Sequence, residues 1–323
     1  MRAVRITRTG GPDVLDLVDA PIPSPGPGQV LVRHAAIGVN FIDTYHRSGL
    51  YPVKLPSGLG MEAAGTVEAI GEGVDRFAPG DQVVYASGPI GAYAEYNAVP
   101  ADRAVKIPPG VTPDLAAAAL LKGMTAEFLL RRCYPLQPGE TVLVHAAAGG
   151  VGQILVQWAK AIGAVVIATA GGADKLARVK ALGADHLIDY REQDVAAEVR
   201  RITSGAGVPV AYDSVGAATF EGTLGSLTRR GLFVSFGNAS GPAPPVEPGR
   251  LSRMGSLYFT RPTLFDYVAT TAELDASAAA LFEVIASDAV RVEIGQTFPL
   301  GEVRRAHEAL ESRATVGASL LIP

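Results

Sequence analysis

Short β-type segments separated by turns fill the first third of the chain. Residues 29–35, 64–70 and 82–85 have the apolar content of strands, and turns rich in Gly and Pro lie between them. This spacing predicts a small, barrel-like β domain.

The pattern changes near residue 123, where apolar strand candidates begin to alternate with helical stretches. Between the first two candidates, apolar residues recur at Val151, Ile154, Leu155, Trp158, Ala159 and Ile162, which lie on one face of an α-helix. Repeated strand–helix–strand units predict a parallel sheet covered by helices on both faces. The strand candidates are residues 141–147, 165–169, 186–188, 210–214, 232–236 and 256–260.

The alternation stops after about residue 262. Two helical stretches follow, at residues 273–285 and 300–312, and then an apolar segment at 318–322 that could fold back onto the first domain. A chain of 323 residues is long enough for two domains, at roughly 100–200 residues per domain.

Composition narrows the class of protein. Hydrophobic residues make up 48% of the chain and charged residues 19%, which is typical of a packed protein and not of a disordered one. No apolar run is long enough for a membrane span, and the N-terminal residues lack the apolar stretch of a secretory signal. We therefore expect a cytoplasmic protein. The net charge of −4 argues against nucleic acid as the main partner.

A glycine-rich loop follows the first strand candidate of the second region. Ala147, Gly149 and Gly152 occupy the three fixed positions of a G-x-G-x-x-G motif, with a strand before it and an amphipathic helix after it. Such a loop lets the backbone approach a pyrophosphate at the start of a helix. The alternative is an ordinary strand–helix turn, but the context favours a dinucleotide site.

The end of the next strand bears on the choice between NAD and NADP. NAD-binding proteins usually place a carboxylate there, but this strand ends in Ala170, Gly171 and Gly172. Lys175 follows, and Tyr190 and Arg191 end the third strand, so basic residues are available for a 2′-phosphate. Asp174 is a mild objection, and Lys175 could be a solvated helix residue. We predict NADPH.

Several segments together resemble a known family. They are NFIDTY at 40–45, RSGLYP at 47–52, PSGLG at 56–60, HAAAGGVG at 145–152, SFGN at 235–238, GSLY at 255–258 and LESR at 310–313. With these the chain resembles, over essentially its whole length, the zinc-independent NADPH:quinone oxidoreductases of the medium-chain dehydrogenase/reductase superfamily, a group that includes zeta-crystallin.

The resemblance implies an α/β fold with two domains. A GroES-like, β-rich catalytic domain would comprise residues 1–123 and 263–323, and a Rossmann domain with a doubly wound parallel sheet would comprise residues 124–262. It also implies a homodimer formed by pairing edge strands, for which we expect the strand between Ser256 and Thr260.

The same resemblance bears on metal binding. Asn40 stands where zinc-dependent relatives have a catalytic Cys, and Gly60-Met61-Glu62 stands where they have Gly-His-Glu. Cys133, the single cysteine, lies away from these motifs and is interpreted as a structural thiol. We therefore predict no metal site. Of the five histidines, only His46 lies beside the expected active site.

Candidate site residues follow from the resemblance. Asn40, Tyr45 and Tyr51 are the catalytic candidates, as neutral donors that polarise the acceptor oxygen. The cofactor-binding candidates are Asn40, Gly149, Gly150, Val151, Gly152, Gly171, Lys175, Tyr190, Ser214, Phe236, Gly237, Ser240, Phe259 and Arg313.

The predicted function is metal-free reduction of a quinone by NADPH. One alternative is NADPH-dependent reduction of an enone or alkenal C=C bond, which differs mainly in the shape of the substrate pocket. A minor alternative is an RNA-binding or crystallin-type protein.

Overall fold

The computed structural model describes residues 1–312 and 315–323, which divide into two compact units. The first unit contains Met1–Met124, Val268–Phe282 and Val292–Pro323, and the second contains Thr125–Tyr267 and Glu283–Arg291. Both ends of the chain therefore lie in the first unit, and most of the second unit is a continuous central segment.

Strands and helices are numbered here along the chain. The strands are β1 (Arg2–Ile6), β2 (Asp16–Asp19), β3 (Gln29–Val39), β4 (Ser57–Gly58), β5 (Glu62–Ile70), β6 (Gln82–Tyr85), β7 (Tyr96–Pro100), β8 (Ala104–Lys106), β9 (Thr141–Val144), β10 (Val165–Ala170), β11 (His186–Asp189), β12 (Val208–Asp213), β13 (Leu227–Ser235), β14 (Tyr258–Thr260), β15 (Ile294–Pro299) and β16 (Ala318–Ile322). The α-helices are α1 (Phe41–Ser48), α2 (Pro113–Phe128), α3 (Gly150–Ile162), α4 (Ala173–Ala181), α5 (Val195–Ile202), α6 (Phe220–Ser226), α7 (Pro248–Arg253), α8 (Leu264–Tyr267), α9 (Thr271–Ala286) and α10 (Val303–Glu311).

The first unit is built on two sheets. Among the described residues, β2, β1 and β4 form a small antiparallel sheet, and a larger mixed sheet has the order β15-β16-β3-β5-β6-β8, with β7 also paired to β3. Strand β3 runs past the predicted residue 35 to Val39, because Ala36, Ile37 and Val39 are buried and the strand's end pairs with the C-terminal strand β16. The strand at residues 318–322 thus pairs with β3 of the first unit.

The second unit is built on one parallel sheet. Among the described residues its strand order is β11-β10-β9-β12-β13-β14, and all its pairings are parallel. Its order runs outward in both directions from β9 and β12, which is the doubly wound arrangement. The apolar core on one face includes Leu143, Ile167 and Phe233 from three strands. The α/β fold class is confirmed.

Several strand boundaries in the second unit differ from the prediction, and two of them differ by three residues or more. Strand β9 ends at Val144, three residues before the predicted end, since the chain turns at Ala146, which has φ of 49°. Strand β13 begins at Leu227, five residues before the predicted start, and pairs with β12 from there. No helix within the described residues is long and apolar enough to cross a membrane.

Candidate active site

The glycine-rich loop joins β9 to α3 in a tight turn. The Ala146 carbonyl accepts a hydrogen bond from the Gly149 N–H at 2.9 Å, and Gly149 is in an extended conformation before the helix begins at Gly150. A Cβ on Gly152 would lie 2.3 Å from the Ala146 oxygen and 2.7 Å from the Cα of Ala147. Only glycine allows the first turn of α3 to pack this closely on the loop.

The start of α3 presents backbone donors. The first intrahelical bond is donated by Gln153 to the Gly149 carbonyl at 2.9 Å, so the N–H groups of Gly150, Val151 and Gly152 precede the helical ladder. Gly149, at the cap position, has no side chain to bind them. These donors and the helix dipole fit the diphosphate of a dinucleotide.

A buried polar network lies directly beneath this loop. His145 contacts the Thr169 hydroxyl at 3.1 Å and the Thr223 hydroxyl at 3.0 Å, and Thr223 donates to Asp213 at 2.8 Å. Burial lowers the pKa of His145, so the ring is neutral and bridges two hydroxyl groups. The network ties together the ends of β9, β10 and β12, from which the nucleotide loops emerge.

The loops after β12 and β13 brace each other. A Cβ on Gly237 would lie 2.4 Å from the Ser214 carbonyl oxygen, so the two backbones are in close contact. The Ser240 hydroxyl donates to the Val215 carbonyl at 2.8 Å, and the Phe236 N–H donates to the last residue of β12 at 2.8 Å. Four of the cofactor-binding candidates therefore come together at the carboxyl ends of adjacent strands, where doubly wound sheets bind ligands.

The turn after β10 lies beside the end of β11. A Cβ on Gly171 would lie 2.7 Å from the Tyr190 hydroxyl oxygen and 2.8 Å from Nε of Arg191, so both side chains cover this turn. The Asp189 carboxylate is already used by the backbone, since it accepts from the Gly172 N–H and from the Arg191 N–H, each at 3.0 Å. The chemistry facing the turn is thus a phenol and a guanidinium.

Lys175 lies in the first turn of α4, directly after this turn. Lys175 and Arg191 thus place two cations near the glycine turn, and Tyr190 adds a hydroxyl group. This set fits a phosphate ester and does not supply the carboxylate that binds an unmodified ribose.

Two other cofactor candidates have different surroundings. Phe259, in β14, packs against the rings of Phe220 and Phe233, with centroids 6.3 and 5.0 Å away. It belongs to the aromatic core beside the sheet. Arg313 lies outside the described residues. Strand β14 itself is an edge of the sheet, and Tyr258 on it is 61% exposed.

The first unit contains a buried polar centre around Glu62. The Asn40 side-chain amide donates to Oε2 of Glu62 at 2.9 Å, and the Lys122 ammonium lies 3.3 Å from the same oxygen. The other carboxylate oxygen accepts from the Leu121 N–H at 2.6 Å. A Cβ on Gly38 would lie 2.2 Å from Oε2, so only glycine leaves room for this carboxylate against β3.

A second carboxylate holds the backbone of the same asparagine. Asn40 caps the N-terminus of α1, and its N–H donates to Asp43 at 2.9 Å, as in one half of a capping box. The Tyr93 hydroxyl donates to the same Asp43 oxygen at 2.8 Å. Burial raises the pKa of Asp43 to about 7, while the hydrogen bonds from Asn40 and Tyr93 lower it.

The tyrosine candidates lie along and just after α1. The rings of Tyr45 and Tyr51 meet edge-on with centroids 5.2 Å apart, and the Tyr51 N–H donates to the Tyr45 carbonyl at 3.0 Å. The ring of His46 lies 6.0 Å from that of Tyr51, and burial lowers its pKa. Asn40, Tyr45 and Tyr51 therefore belong to one helix and the turn that follows it.

Sequence reasoning missed several members of these clusters. Lys122 was not singled out, although a lysine inside the apolar segment AAAALLKGM was a signal that it needed a buried partner. Glu62 was identified only as the last residue of Gly60-Met61-Glu62, where zinc-dependent relatives have Gly-His-Glu. Tyr93 and His307, which meet at 3.1 Å, are 214 residues apart, and no local pattern pairs them.

Comparisons with known proteins agree with this architecture. The family described as "Alcohol dehydrogenase GroES-like domain" matches residues 26–109, and the family described as "Zinc-binding dehydrogenase" matches residues 150–285. The positions of Asn40 and Met61 lie outside the second match, so its name carries no information about them.

Relatives are similar over the whole chain. A quinone oxidoreductase of Pseudomonas aeruginosa is 49% identical and covers 100% of this chain and 99% of its own. The crystal structure of Escherichia coli quinone oxidoreductase complexed with NADPH has a TM-score of 0.98 at 48% identity, with 100% of both chains covered. A mycobacterial protein complexed with NADPH has a TM-score of 0.97 at 51% identity, again with 100% of both chains covered. The chain belongs to the quinone oxidoreductase family of the medium-chain dehydrogenase/reductase superfamily.

Proposed function

We propose that this protein is an NADPH-dependent quinone reductase that works without a metal ion. The observation that carries the proposal is the turn at Gly171, which is covered by Tyr190 and Arg191 and followed by Lys175. It favours a 2′-phosphate, and the start of α3 favours the diphosphate of the same cofactor. Relatives of about 50% identity over the full chain are quinone oxidoreductases.

The polar centre of the first unit supports the absence of a metal. At the sequence positions where zinc-dependent relatives have thiolate and imidazole ligands, this chain has Asn40 and Met61. The positive charge beside Glu62 is supplied by the Lys122 ammonium at 3.3 Å. This carboxylate is therefore neutralised by the protein itself, and its two oxygens are occupied by three donors.

NADPH, when bound, supplies the hydride that reduces the acceptor. The donors on α3, the 213–216 and 236–240 loops and the Gly171 turn would hold the nucleotide, with Phe259 and Arg313 carried over from the family as further contacts. Asn40, Tyr45 and Tyr51 would orient the acceptor and donate hydrogen bonds to its oxygen. Since a quinone is already a good electron acceptor, neutral donors suffice to polarise it.

Three further points belong to the proposal. The catalytic domain would comprise residues 1–123 and 263–323, and the cofactor domain residues 124–262. The protein would act in the cytoplasm. It would form a homodimer through β14, because an exposed edge strand with a large aromatic side chain is a liability unless it is paired.

The experiment is a steady-state assay at 340 nm with 1,4-naphthoquinone, in which NADPH and NADH are compared with and without a chelator. We expect NADPH oxidation above the uncatalysed rate, a clear preference for NADPH, and no effect of the chelator. An acyclic enone serves as the second acceptor. Turnover of the enone without turnover of any quinone would assign the protein to C=C reduction and refute the proposal.

A further inference from the structure

A hydrogen-bonded chain runs through the core of the first unit and ends at the catalytic candidate Asn40. Arg47 contacts Nδ1 of His307 at 3.1 Å, Nε2 of His307 contacts the Tyr93 hydroxyl at 3.1 Å, and Tyr93 contacts Asp43 at 2.8 Å. Asp43 in turn accepts from the Asn40 N–H at 2.9 Å. This chain joins α10, the segment before β7 and the start of α1.

Chemistry fixes the direction of every bond in this chain. A guanidinium can only donate, so Nδ1 of His307 is the acceptor and its Nε2 carries the proton. That N–H donates to Tyr93, and the hydroxyl is left to donate to the Asp43 carboxylate. Burial and the neighbouring Arg47 lower the pKa of His307 to about 3, which keeps the ring neutral in this role.

This direction argues against proton transport along the chain. A proton shift toward Asp43 would have to end by deprotonating Arg47, whose side chain remains charged in proteins. The chain is therefore an orienting device. Each member is buried, and the Tyr93 ring is confined by the turn at Gly60, where a Cβ would lie 2.2 Å from it.

We propose that Tyr93 and His307 are positioning residues for Asn40, acting through Asp43. Asn40 is held at two points: its side chain by Glu62, and its backbone by Asp43. Loss of the Tyr93 hydroxyl would remove one of the two hydrogen bonds that Asp43 accepts among the described residues, leave the Asn40 N–H as the other, and loosen the first turn of α1. The expected effect on kcat rests on the proposed function, whereas the expected effect on the Asn40 backbone does not.

The same unit offers a matched control. Tyr85 and His34 form a second buried pair, with the Tyr85 hydroxyl 2.9 Å from Nε2 of His34. This pair is as buried as the first, but its other contacts are the Ala94 carbonyl and the Asn97 amide, and it does not reach Asp43. Removing either tyrosine hydroxyl thus disturbs one buried Tyr–His pair, and only one of the two is linked to Asn40.

The experiment compares Y93F with Y85F in the full-length protein. Hydrogen exchange of the Asn40 amide, followed by mass spectrometry of short peptides or by NMR, should accelerate at least tenfold in Y93F and less than twofold in Y85F. The kcat for quinone should fall at least tenfold in Y93F alone, with a smaller change in KM for NADPH. Equal exchange in the two variants would overturn the proposal, and so would faster exchange without a loss of kcat.

A pH profile gives a readout that general destabilisation would not produce. Asp43 is faced by Asn40, Tyr93, Glu62 and Lys122, and the Tyr93 hydrogen bond stabilises its ionised form. The acid limb of kcat should therefore move to higher pH in Y93F and stay in place in Y85F. An unmoved limb in Y93F would contradict the positioning role.

Variants of His307 test the far end of the chain. H307Q keeps an N–H that can reach Tyr93 and should recover most of the activity that H307L loses. Equal losses in the two would contradict the proposal. If the wild-type protein reduces no quinone, the proposed function fails, while the exchange of the Asn40 amide still decides whether the chain holds this residue.

Discussion

The replacement of Gly152 by Ala tests whether the packing of α3 on its loop creates the nucleotide site. The new Cβ would lie 2.3 Å from the Ala146 carbonyl oxygen, about 1 Å inside an ordinary contact. Both obstructing groups are backbone atoms, so no side-chain movement can relieve the overlap. Overpacking of this kind costs about 1–3 kcal/mol, which offsets the gain of about 1 kcal/mol that alanine brings to a helix.

The overlap should be relieved by moving the start of α3 away from the loop. Because hydrogen bonds to a charged group contribute about 1.5–3 kcal/mol, misplacing even one N–H should weaken NADPH binding roughly 10- to 100-fold. The assay is a titration of NADPH by calorimetry. The control is G222A in α6, where the new Cβ would meet its nearest neighbour at an ordinary 3.5 Å. NADPH affinity in G152A within twofold of both G222A and the wild type would refute the reasoning.

Three other substitutions test separate parts of the structure. In G171A the new Cβ displaces the hydroxyl of Tyr190. The ratio of kcat/KM for NADPH to kcat/KM for NADH should therefore fall at least tenfold, with little change in melting temperature. An unchanged ratio would contradict the role of this turn in binding the 2′-phosphate. K122M leaves Glu62 as a buried charge without its cation, so the free energy of unfolding in urea titrations should fall by about 3–5 kcal/mol. A fall of less than about 1 kcal/mol, which is typical of a surface ion pair, would contradict the buried pairing. Burial raises the pKa of Asp43 from its ordinary 3.8 to about 7 in the folded protein. Between these pH values the folded state binds more protons than the unfolded state, so this group destabilises the fold as pH rises. The stability of D43N relative to wild type should therefore grow by up to about 4 kcal/mol from pH 4 to 7, and a difference independent of pH would contradict the assignment.

The spacing of apolar residues predicted the main helices and strands, because this spacing reflects which face of each element is buried. The helix from Gly150 to Ile162 has its apolar residues at helical spacing, and the strand Ala318–Ile322 was an isolated apolar segment. The end of β9 was predicted too late because Ala146 and Ala147 are as apolar as strand residues. Only the backbone shows that Ala146 turns with a positive φ.

The candidate site was predictable only where its chemistry is local. The glycine loop, the Gly171 turn and the segment from Asn40 to Tyr45 are short motifs. Lys122 meets Glu62 across 60 residues, and such a pairing depends on how α2 packs on the sheet. Hydrophobic patterning shows that α2 packs on the sheet but does not show which of its side chains meets which residue. The buried partners of Asn40 could therefore be identified only from the structure.

The central claim is that this chain transfers reducing equivalents from NADPH to a quinone without a metal. The most direct measurement is a single turnover: protein dialysed against chelator, with its metal content determined, is loaded with one equivalent of NADPH and mixed with excess 1,4-naphthoquinone in the absence of oxygen. We expect the absorbance at 340 nm to be lost in full, and far faster than without protein, although the protein contains less than about a tenth of an equivalent of zinc, too little to fill one site per chain. Oxidation that begins only when zinc is added would contradict it.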